Sequence, residues 1–370
     1  MKIVKVEAIP MMAPADQKIT MSQASFDTFF TTIVRLTTDD GIVGIGECMV
    51  RTAAGPTKHI VDEMLAPLIM GRDPLDVEAI WEDMFRSERH RGHASGMFVE
   101  AMSGIDTALW DIIGKYHHMP LGKLLGGYDR KQIPAYASSI MLNDIPQMVE
   151  RAQELVSLGY RAMKVKIGTD CRRDVETMKQ IRMAVGDGID LMADANSYYR
   201  SVRDAVYVGR GLEELSVLWL EEPVMPDNVM GYQQISQKLD IAIAAGESSF
   251  TSLDFCTLFQ KECIAIAQPD VTRCGGVTES RRIAELATVF NRQYAPHTGL
   301  SSSVCIFATL QLAAWAPNFI TYEYGLFGNP LQRLTTKPVP PVVNGLLEVP
   351  QEEGIGCELD ESFIKKYRID

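Results

Sequence analysis

The chain of 370 residues is 46% hydrophobic and 23% charged, a composition typical of globular proteins and long enough for more than one hydrophobic core. Its net charge of -12, without a cluster of Lys and Arg, argues against nucleic acid or an anionic membrane as partner. Seven cysteines without CxxC spacing indicate neither a disulfide framework nor a zinc knuckle. No signal-peptide pattern and no apolar run of roughly 18 residues is found, so we expect a cytoplasmic protein.

The first 128 residues have the pattern of an α+β domain. Alternating apolar residues predict three strands, and a helical periodicity follows them. Strands followed by helices, without regular alternation, are typical of α+β folds. We therefore predict an N-terminal domain over residues 1–128. Its predicted strands cover 3–9, 31–36 and 42–47, and its helices cover 56–68, 76–86 and 97–116.

Strand and helix patterns alternate through residues 129–345. Short apolar runs recur about every 26 residues, which is the length of one βα unit of a (β/α)8 barrel. Amphipathic segments such as 144–158, 174–185 and 277–290 separate them. Residues 346–370 fit neither pattern and are expected to pack back on the N-terminal domain. The eight predicted strands cover 135–139, 162–167, 190–194, 217–221, 241–246, 264–269, 293–297 and 319–323.

Three acids, Asp194, Glu221 and Glu247, end consecutive predicted strands. Each alone is compatible with a helix cap or a loop acid, but barrel strands converge at their carboxyl ends. Three carboxylates about 4 Å apart would repel by about 4 kcal/mol per pair at an effective dielectric of about 20. A cation must therefore lie between them. Oxygen ligands without His or Cys favour Mg2+, with Mn2+ as the alternative, over zinc.

Lys164 and Lys166 point to the same side of a predicted strand, because strand side chains alternate. Such a pair is ordinarily a solvated strand face, but apolar residues surround this one in a strand that faces the barrel interior. At about 6.7 Å and an effective dielectric of about 20, the two charges repel by roughly 2.5 kcal/mol. That repulsion is equivalent to about 2 pKa units, which can bring one lysine towards the neutral form that a general base requires.

Asp270, His297 and Glu323 end the last three predicted strands. We expect Asp270 to fix the tautomer of the neighbouring His297 and to raise its pKa. Glu323 is positioned to donate a proton if burial raises its pKa. Bases on two sides of a divalent cation suit the removal of a proton next to a carboxylate, because the cations stabilise the enolate that forms.

As a set, these residues resemble the enolase superfamily and, within it, the mandelate racemase subgroup, over essentially the whole chain. The motifs are Lys164-Val165-Lys166, Arg273-Cys274-Gly275-Gly276 and the acids and histidine named above. The resemblance implies a modified TIM (β/α)8-type barrel with an N-terminal α+β capping domain, whose loops at about 13–29 and 51–56 close over the barrel mouth. It also implies that Glu221, not Glu222, is the metal ligand, which spacing alone leaves open.

The main hypothesis for the reaction is an acid-sugar dehydratase of carbohydrate catabolism. Lys166 or His297 would take the proton at C2 of an aldonate or aldarate, and His297 or Glu323 would protonate the hydroxyl that leaves C3. The product would be a 2-keto-3-deoxy acid. The capping loops are rich in Ser, Thr and Gln, which suits several substrate hydroxyls. The candidates for substrate binding are Ser22, Arg51, Ser139 and Asn196.

Two other functions stay open. In a racemase or epimerase of a 2-hydroxy acid, Lys166 and His297 would each serve one enantiomer, and Met11, Met12, Met21, Phe26 and Phe29 near the loops would suit an apolar substrate. A non-catalytic metal-stabilised barrel is the remaining alternative. The expected partners are a small carboxylate and further copies of the chain in a homo-oligomer.

Overall fold

The computed structural model describes residues 1–127 and 130–369, apart from the side chain of Gln17. The predicted boundary between residues 128 and 129 and the final residue, Asp370, lie outside the described residues. In the described part of the chain, no helix has the length and apolar character needed to cross a membrane.

The chain begins with a three-stranded antiparallel sheet, in the order β1-β2-β3. The loop predicted over 13–29 is mostly strand, because the two strands stay paired up to Thr20 and Ser25 and leave only a tight turn over 21–24. Pro14 and Asp16 lie where the register shifts between the pairs at Pro14 and Ile19. The strands are β1 (Ile3–Thr20), β2 (Ser25–Thr38) and β3 (Val43–Cys48).

Helices pack on one face of this sheet and complete the capping domain. A Cβ atom on Gly46 would lie 2.0 Å from the carbonyl oxygen of Gly104, and one on Gly44 would lie 2.1 Å from that of Ala108. The two glycines of β3 therefore permit the close approach of the long helix α4. The helical segments are α1 (Ala54–His59), a π-helical turn (Ile60–Leu65), α2 (Ala66–Ile69), α3 (Val77–Arg89), α4 (Met97–Tyr116) and α5 (Leu121–Leu124).

Eight parallel strands form the barrel, which confirms the predicted fold class. Neighbouring strands pair in chain order, and the eighth pairs with the first. Between the seventh and eighth, Tyr294 bridges Phe319, and the N–H of Ile320 donates to the carbonyl of Tyr294 at 3.0 Å. The strands are β4 (Gln132–Ile140), β5 (Ala162–Lys166), β6 (Asp190–Asp194), β7 (Trp219–Glu221), β8 (Ala242–Ala245), β9 (Ile266–Ala267), β10 (Gln293–Tyr294) and β11 (Tyr322–Gly325).

A helix follows each of the first seven barrel strands, and a 3₁₀ turn (Pro330–Arg333) follows the eighth. The segment after it adds a strand antiparallel to β4 and a short helix near β1, and Ile369 N–H donates to Pro10 O at 3.0 Å. The helices are α6 (Ile145–Ser157), α7 (Cys171–Val185), α8 (Val202–Glu214), α9 (Val229–Ser236), α10 (Thr251–Gln260), α11 (Gly276–Val289), α12 (Ser303–Trp315) and α13 (Glu361–Tyr367), and the added strand is β12 (Leu346–Glu348).

The barrel interior changes from apolar to polar along its strands. Tyr136 and Trp219 meet edge to face at 5.5 Å in an apolar layer that also contains Met192 and Ala295. Because strand side chains alternate, the next inward-facing residues lie two positions further on. At three of these strands they are Ser138, Asp194 and Glu221, and Ala295 is followed by His297 in the same way. The apolar layer therefore closes the bottom of a polar mouth.

A buried carboxylate, Glu47, connects the capping domain to the barrel. It accepts hydrogen bonds from Thr31 Oγ1 at 2.8 Å, from Ser302 N at 2.9 Å and Oγ at 2.7 Å, and from Cys305 N at 2.9 Å. Ser302 and Cys305 lie at the start of α12, so the end of β3 holds the loop that follows His297.

Candidate active site

The three acids predicted as metal ligands come together at the barrel mouth. Asp194, Glu221 and Glu247 each offer a carboxylate oxygen, and these oxygens lie within 4.8 Å of one another. Asp194 and Glu221 are fully buried, whereas the side chain of Glu247 is 20% exposed to the cavity. Glu222 is not part of this group. Its carboxylate accepts a hydrogen bond from Ser248 Oγ at 3.1 Å.

Two neighbours that the sequence analysis did not identify fix the orientation of Glu221. Its Oε2 atom accepts hydrogen bonds from Trp219 Nε1 at 3.0 Å and from Gln268 Nε2 at 2.8 Å. Its Oε1 atom accepts one from Lys164 Nζ at 2.5 Å. Trp219 and Gln268 each lie two residues before a predicted acid of the site, Glu221 and Asp270. The two-residue period of a strand was therefore the available signal.

The lysines form ion pairs with the acids, and this changes their predicted protonation. Lys166 Nζ lies 2.5 Å from Asp194 Oδ2, and Lys164 Nζ lies 2.9 Å from Glu323 Oε1 in addition to its bond to Glu221. Burial lowers the pKa of each lysine, but the nearby carboxylates raise it more, so both pKa values lie above the usual range. The predicted shift of one lysine towards neutrality was wrong for this arrangement, because the carboxylates outweigh the lysine–lysine repulsion.

His297 and Asp270 form the predicted pair. His297 Nδ1 lies 2.7 Å from Asp270 Oδ2, and Asp270 Oδ1 accepts hydrogen bonds from the N–H and hydroxyl of Thr272. The other ring nitrogen, Nε2, lies 3.3 Å from Glu247 Oε2. Burial lowers the pKa of His297, but the carboxylates of Glu247, Glu323 and Asp270 raise it to about 9. The predicted direction of this shift is confirmed.

Glu323 is buried beside cations and a backbone donor. Its Oε1 atom pairs with Lys164, its Oε2 atom accepts the N–H of Thr298 at 3.0 Å, and His297 Nε2 lies 3.8 Å away. Burial raises the pKa of this carboxyl, but Lys164 and His297 lower it more, so its pKa lies below the usual range. Proton donation by Glu323 was conditional on a pKa raised by burial, and that condition is not met in this arrangement, because the two cationic neighbours outweigh burial.

The donor set fits a hard divalent cation. Burial and the carboxylates of Glu247, Asp194 and Glu221 raise the pKa of Glu222 well above the usual range, which shows how crowded the negative charge is. The amide oxygen of Asn196 is buried and has no hydrogen-bond partner among the described residues. Six carboxylates against three basic groups leave an excess of three negative charges when all are ionised. These residues are Asp194, Glu221, Glu222, Glu247, Asp270 and Glu323, with Lys164, Lys166 and His297.

A cavity of about 320 Å³ lies above this cluster and below the capping domain. Lys166 and His297 both line it, on strands that lie across the barrel from each other. Of the residues predicted to bind substrate, Arg51 and Asn196 also line it. Lys166, His297 and a substrate-sized space therefore occur together.

The other two predicted substrate-binding residues lie elsewhere. Ser139 is on the outer side of β4, where its hydroxyl accepts hydrogen bonds from Arg151 Nε at 3.0 Å and Nη2 at 2.7 Å. Because strand side chains alternate, Ser138 faces the cavity instead. Ser22 donates its hydroxyl to the carbonyls of Ala195 at 3.0 Å and Asn196 at 3.3 Å, and so joins the hairpin turn to the barrel.

Comparison with known protein families covers both parts of the chain. Residues 3–126 match the mandelate racemase / muconate lactonizing enzyme N-terminal domain, and residues 147–363 match the enolase C-terminal domain-like family. The chain belongs to the mandelate racemase / muconate lactonizing enzyme family. The resemblance to the enolase superfamily inferred from the sequence is thereby confirmed.

Named relatives align with nearly the whole chain. A D-galactarolactone cycloisomerase from Agrobacterium fabrum is 31% identical over 100% of this chain and 99% of its own length. An arabinonate dehydratase from Saccharolobus solfataricus is 31% identical over 90% of this chain and 88% of its own length. A solved racemase structure from Streptomyces coelicolor with bound magnesium is 28% identical, with a TM-score of 0.91 over 99% of this chain and 100% of that one.

Proposed function

We propose that this protein is a Mg2+-dependent acid-sugar dehydratase, which removes the C2 proton of an aldonate or aldarate and expels the C3 hydroxyl as water. The observation that carries the proposal is the shared cavity: Lys166 and His297 both line it, and so does the metal-ligand candidate Glu247. Relatives named as an arabinonate dehydratase and a D-galactarolactone cycloisomerase support a sugar-acid substrate.

We further propose a role for each ionisable group beside the cavity. Lys166 would take the C2 proton once a cation held by Asp194 weakens the ion pair that keeps the Lys166 pKa above its usual range. His297 is held by Asp270 through Nδ1, and its other ring nitrogen, Nε2, 3.3 Å from Glu247 Oε2, would deliver a proton to the departing hydroxyl. Glu323 lies beside His297 and Lys164, where its carboxylate can accept a hydrogen bond from a substrate hydroxyl. Lys164 is buried beneath the cavity, next to the charge that develops on the substrate carboxylate.

Asp194, Glu221 and Glu247 would hold the Mg2+. When bound, the ion would offset two of the three negative charges of these carboxylates and stabilise the negative charge of the substrate as its proton leaves. Asn196 presents an amide oxygen close by, two residues after Asp194, and is a further candidate for contact with the substrate.

The first test follows the α proton directly. The protein is incubated with Mg2+ in D2O with a panel of aldonates, aldarates and mandelate-like acids, and each reaction is monitored by proton NMR and a 2-keto-acid assay. A keto-acid product supports dehydration. Deuterium at C2 without loss of hydroxyl would instead support the alternative, racemisation of a 2-hydroxy acid by Lys166 and His297. No exchange in any acid would refute proton abstraction.

Variants test whether the named groups do the chemistry. Lys166→Met and His297→Gln should each lower kcat by about a hundredfold to ten-thousandfold. Lys179→Met, on the exposed face of α7, is the matched control and should retain activity. Retained turnover in both site variants would contradict the proposal and favour a barrel in which the metal is only structural.

A further inference from the structure

The cavity has two chemically different surfaces. Its floor is polar and comes from the barrel strand ends, and its opposite surface, here called the roof, is apolar. The roof begins in the capping domain, at the hairpin turn, β2 and the loop after β3, and continues through the barrel loops that follow His297 and β11. Its residues are Met21, Phe26, Phe29, Val50, Leu300 and Phe327.

The roof is continuous with the hydrophobic core of the capping domain. Phe29 and Phe327 are buried members of that core, and Met21, Phe26 and Leu300 pack against it. The rings of Phe26 and Phe29 meet edge to face, with centroids 5.8 Å apart. The roof is therefore a supported apolar surface and not a set of isolated exposed side chains.

The polar residues in and beside the hairpin turn are bonded to other parts of the protein and do not make the roof polar. Ser22 and Gln23 donate to carbonyls of the barrel loop over 195–197, at 3.0 and 3.2 Å. Ser25 donates to the carbonyl of Ile19 at 3.2 Å, and Thr28 donates to Asp27 at 3.1 Å. The Ser, Thr and Gln residues that suggested a polyhydroxy substrate are thus largely bonded to the protein itself. Two exposed residues at the rim, Arg51 and Thr52, are the other polar residues of the capping domain that line the cavity.

Leu300 contributes to the roof from a strained backbone. Its φ of 66° is in the left-handed region, which disfavours leucine and readily accepts Asn or Gly. Asn329 holds this turn through hydrogen bonds to the carbonyls of Leu300 at 3.1 Å and Ser301 at 2.9 Å. The local backbone conformation would suit a polar Asn, yet the side chain presented to the cavity is apolar.

We infer that the cavity takes a carboxylate with hydroxyls at the two reacting carbons and an apolar remainder, a 2,3-dihydroxy acid, in preference to a fully hydroxylated sugar acid. The carboxylate and the two hydroxyls face the floor, and the hydrocarbon end faces the roof. A hydroxyl held against the six apolar side chains of the roof loses its hydrogen bonds to water and gains none from those side chains. This inference rests on the proposed function and narrows the class of acids that the protein would accept as substrates. The reaction balances as before: the acid loses its C3 hydroxyl and C2 proton as water and becomes a 2-keto acid.

The test compares two substrates that share the reacting atoms. The values of kcat/KM are measured with Mg2+ for the four stereoisomers of 2,3-dihydroxyhexanoate. Each is compared with the hexonates that have the same configuration at C2 and C3. We expect the best dihydroxy acid to exceed its matched hexonate by about tenfold to a hundredfold, the range by which an apolar pocket discriminates a small group or a hydroxyl.

Two roof variants add polar groups, and a surface variant controls for the substitution. Leu300→Asn relieves the backbone strain, so its thermal midpoint should be at least that of the wild type, while its preference for the dihydroxy acid should fall by about tenfold. Phe26→Tyr should lower the preference in the same direction. Leu253→Asn, at an exposed position of α10, should leave the preference unchanged.

The outcomes separate this inference from the proposed function. If the hexonates react better than the dihydroxy acids, or if the roof variants keep the wild-type preference, the inference is wrong while the dehydratase proposal stands. If no acid of either series exchanges its C2 proton in D2O, the proposed function itself fails. A preference for the dihydroxy acid that falls in both roof variants and persists in Leu253→Asn supports the inference.

Discussion

The hydrogen bond from Gln268 to Glu221 should contribute directly to Mg2+ affinity. Gln268 is 2% exposed, and its Nε2 donates to Glu221 Oε2 at 2.8 Å. In Gln268→Leu, a residue of similar size removes this donor and leaves Trp219 as the protein donor to Oε2. Loss of a group that orients a ligand typically weakens metal binding by about 10- to 100-fold. This range corresponds to about 1.4–2.8 kcal/mol and agrees with the value of about 1.5–3 kcal/mol for a hydrogen bond to a charged group.

The assay is isothermal titration of the metal-free protein with Mg2+, which requires no substrate. Thermal unfolding with and without Mg2+ gives a second reading, because a weaker site yields a smaller metal-induced rise in the midpoint. Gln311→Leu is the matched control: Gln311 is 1% exposed and donates to Pro350 O at 2.9 Å, away from the acids. This control should lose stability and keep the wild-type Kd for Mg2+.

Two results would refute this reasoning. A wild-type Kd in Gln268→Leu would show that the orientation of Glu221 does not depend on this donor. A wild-type protein that binds no Mg2+ would remove the metal site itself, and with it the assignment of Asp194, Glu221 and Glu247.

Three further changes have defined outcomes. Burial raises the pKa of Asp106 to about 7 from 3.8, so the folded protein keeps a proton that the unfolded chain releases, and the unfolding free energy should fall as pH rises between these values. Asp106→Asn should remove about 3 kcal/mol of the difference in unfolding free energy between pH 5 and pH 8. Equal pH dependence in the wild type and the variant would contradict this. Gly299→Ala would place a Cβ atom 2.7 Å from His297 Nε2 and should lower kcat by about 100-fold, whereas Gly55→Ala, with no atom within 4 Å of its Cβ, should not. In Glu47→Gln, an amide NH2 group replaces one carboxylate oxygen and faces the groups that donate hydrogen bonds to Glu47. This change should lower the free energy of unfolding in urea by about 1–3 kcal/mol and should also lower kcat. Unchanged values of both would show that these hydrogen bonds are dispensable.

The positions of the catalytic candidates could be predicted because they depend on the repeat of the barrel. One strand and one helix take a nearly constant length, so a polar residue at each repeat marks a strand end, and Asp194, Glu221 and Glu247 are found together as expected. The same rule misplaced the site residue of the first barrel strand by one position. A one-residue error moves a strand side chain to the opposite face, which is why Ser138 and not Ser139 lines the cavity.

Protonation and the cavity surface were harder to predict, because both depend on contacts between segments far apart in the chain. The sequence shows Lys166 beside Lys164, but the closest charge to its ammonium group is Asp194, 28 residues away. The hairpin turn illustrates the same limit. Its composition is polar, yet the hydroxyl of Ser22 bonds to the carbonyl of a residue 173 positions away. The roof, which is the surface that the capping domain and the barrel loops present to the cavity, is apolar.

The hydrogen bonds of Glu47 also determine when the site can be completed during synthesis of the chain. The loop after His297 is positioned by a carboxylate that left the ribosome 255 residues before Ser302. The capping domain is made first, and until the seventh barrel strand and α12 emerge this acid lacks the donors from Ser302 and Cys305 and keeps only Thr31. A ribosome-bound chain that stops before residue 302 therefore leaves this acceptor without its three barrel donors. Such truncated chains are expected to be targets for chaperones and proteases and to have no activity.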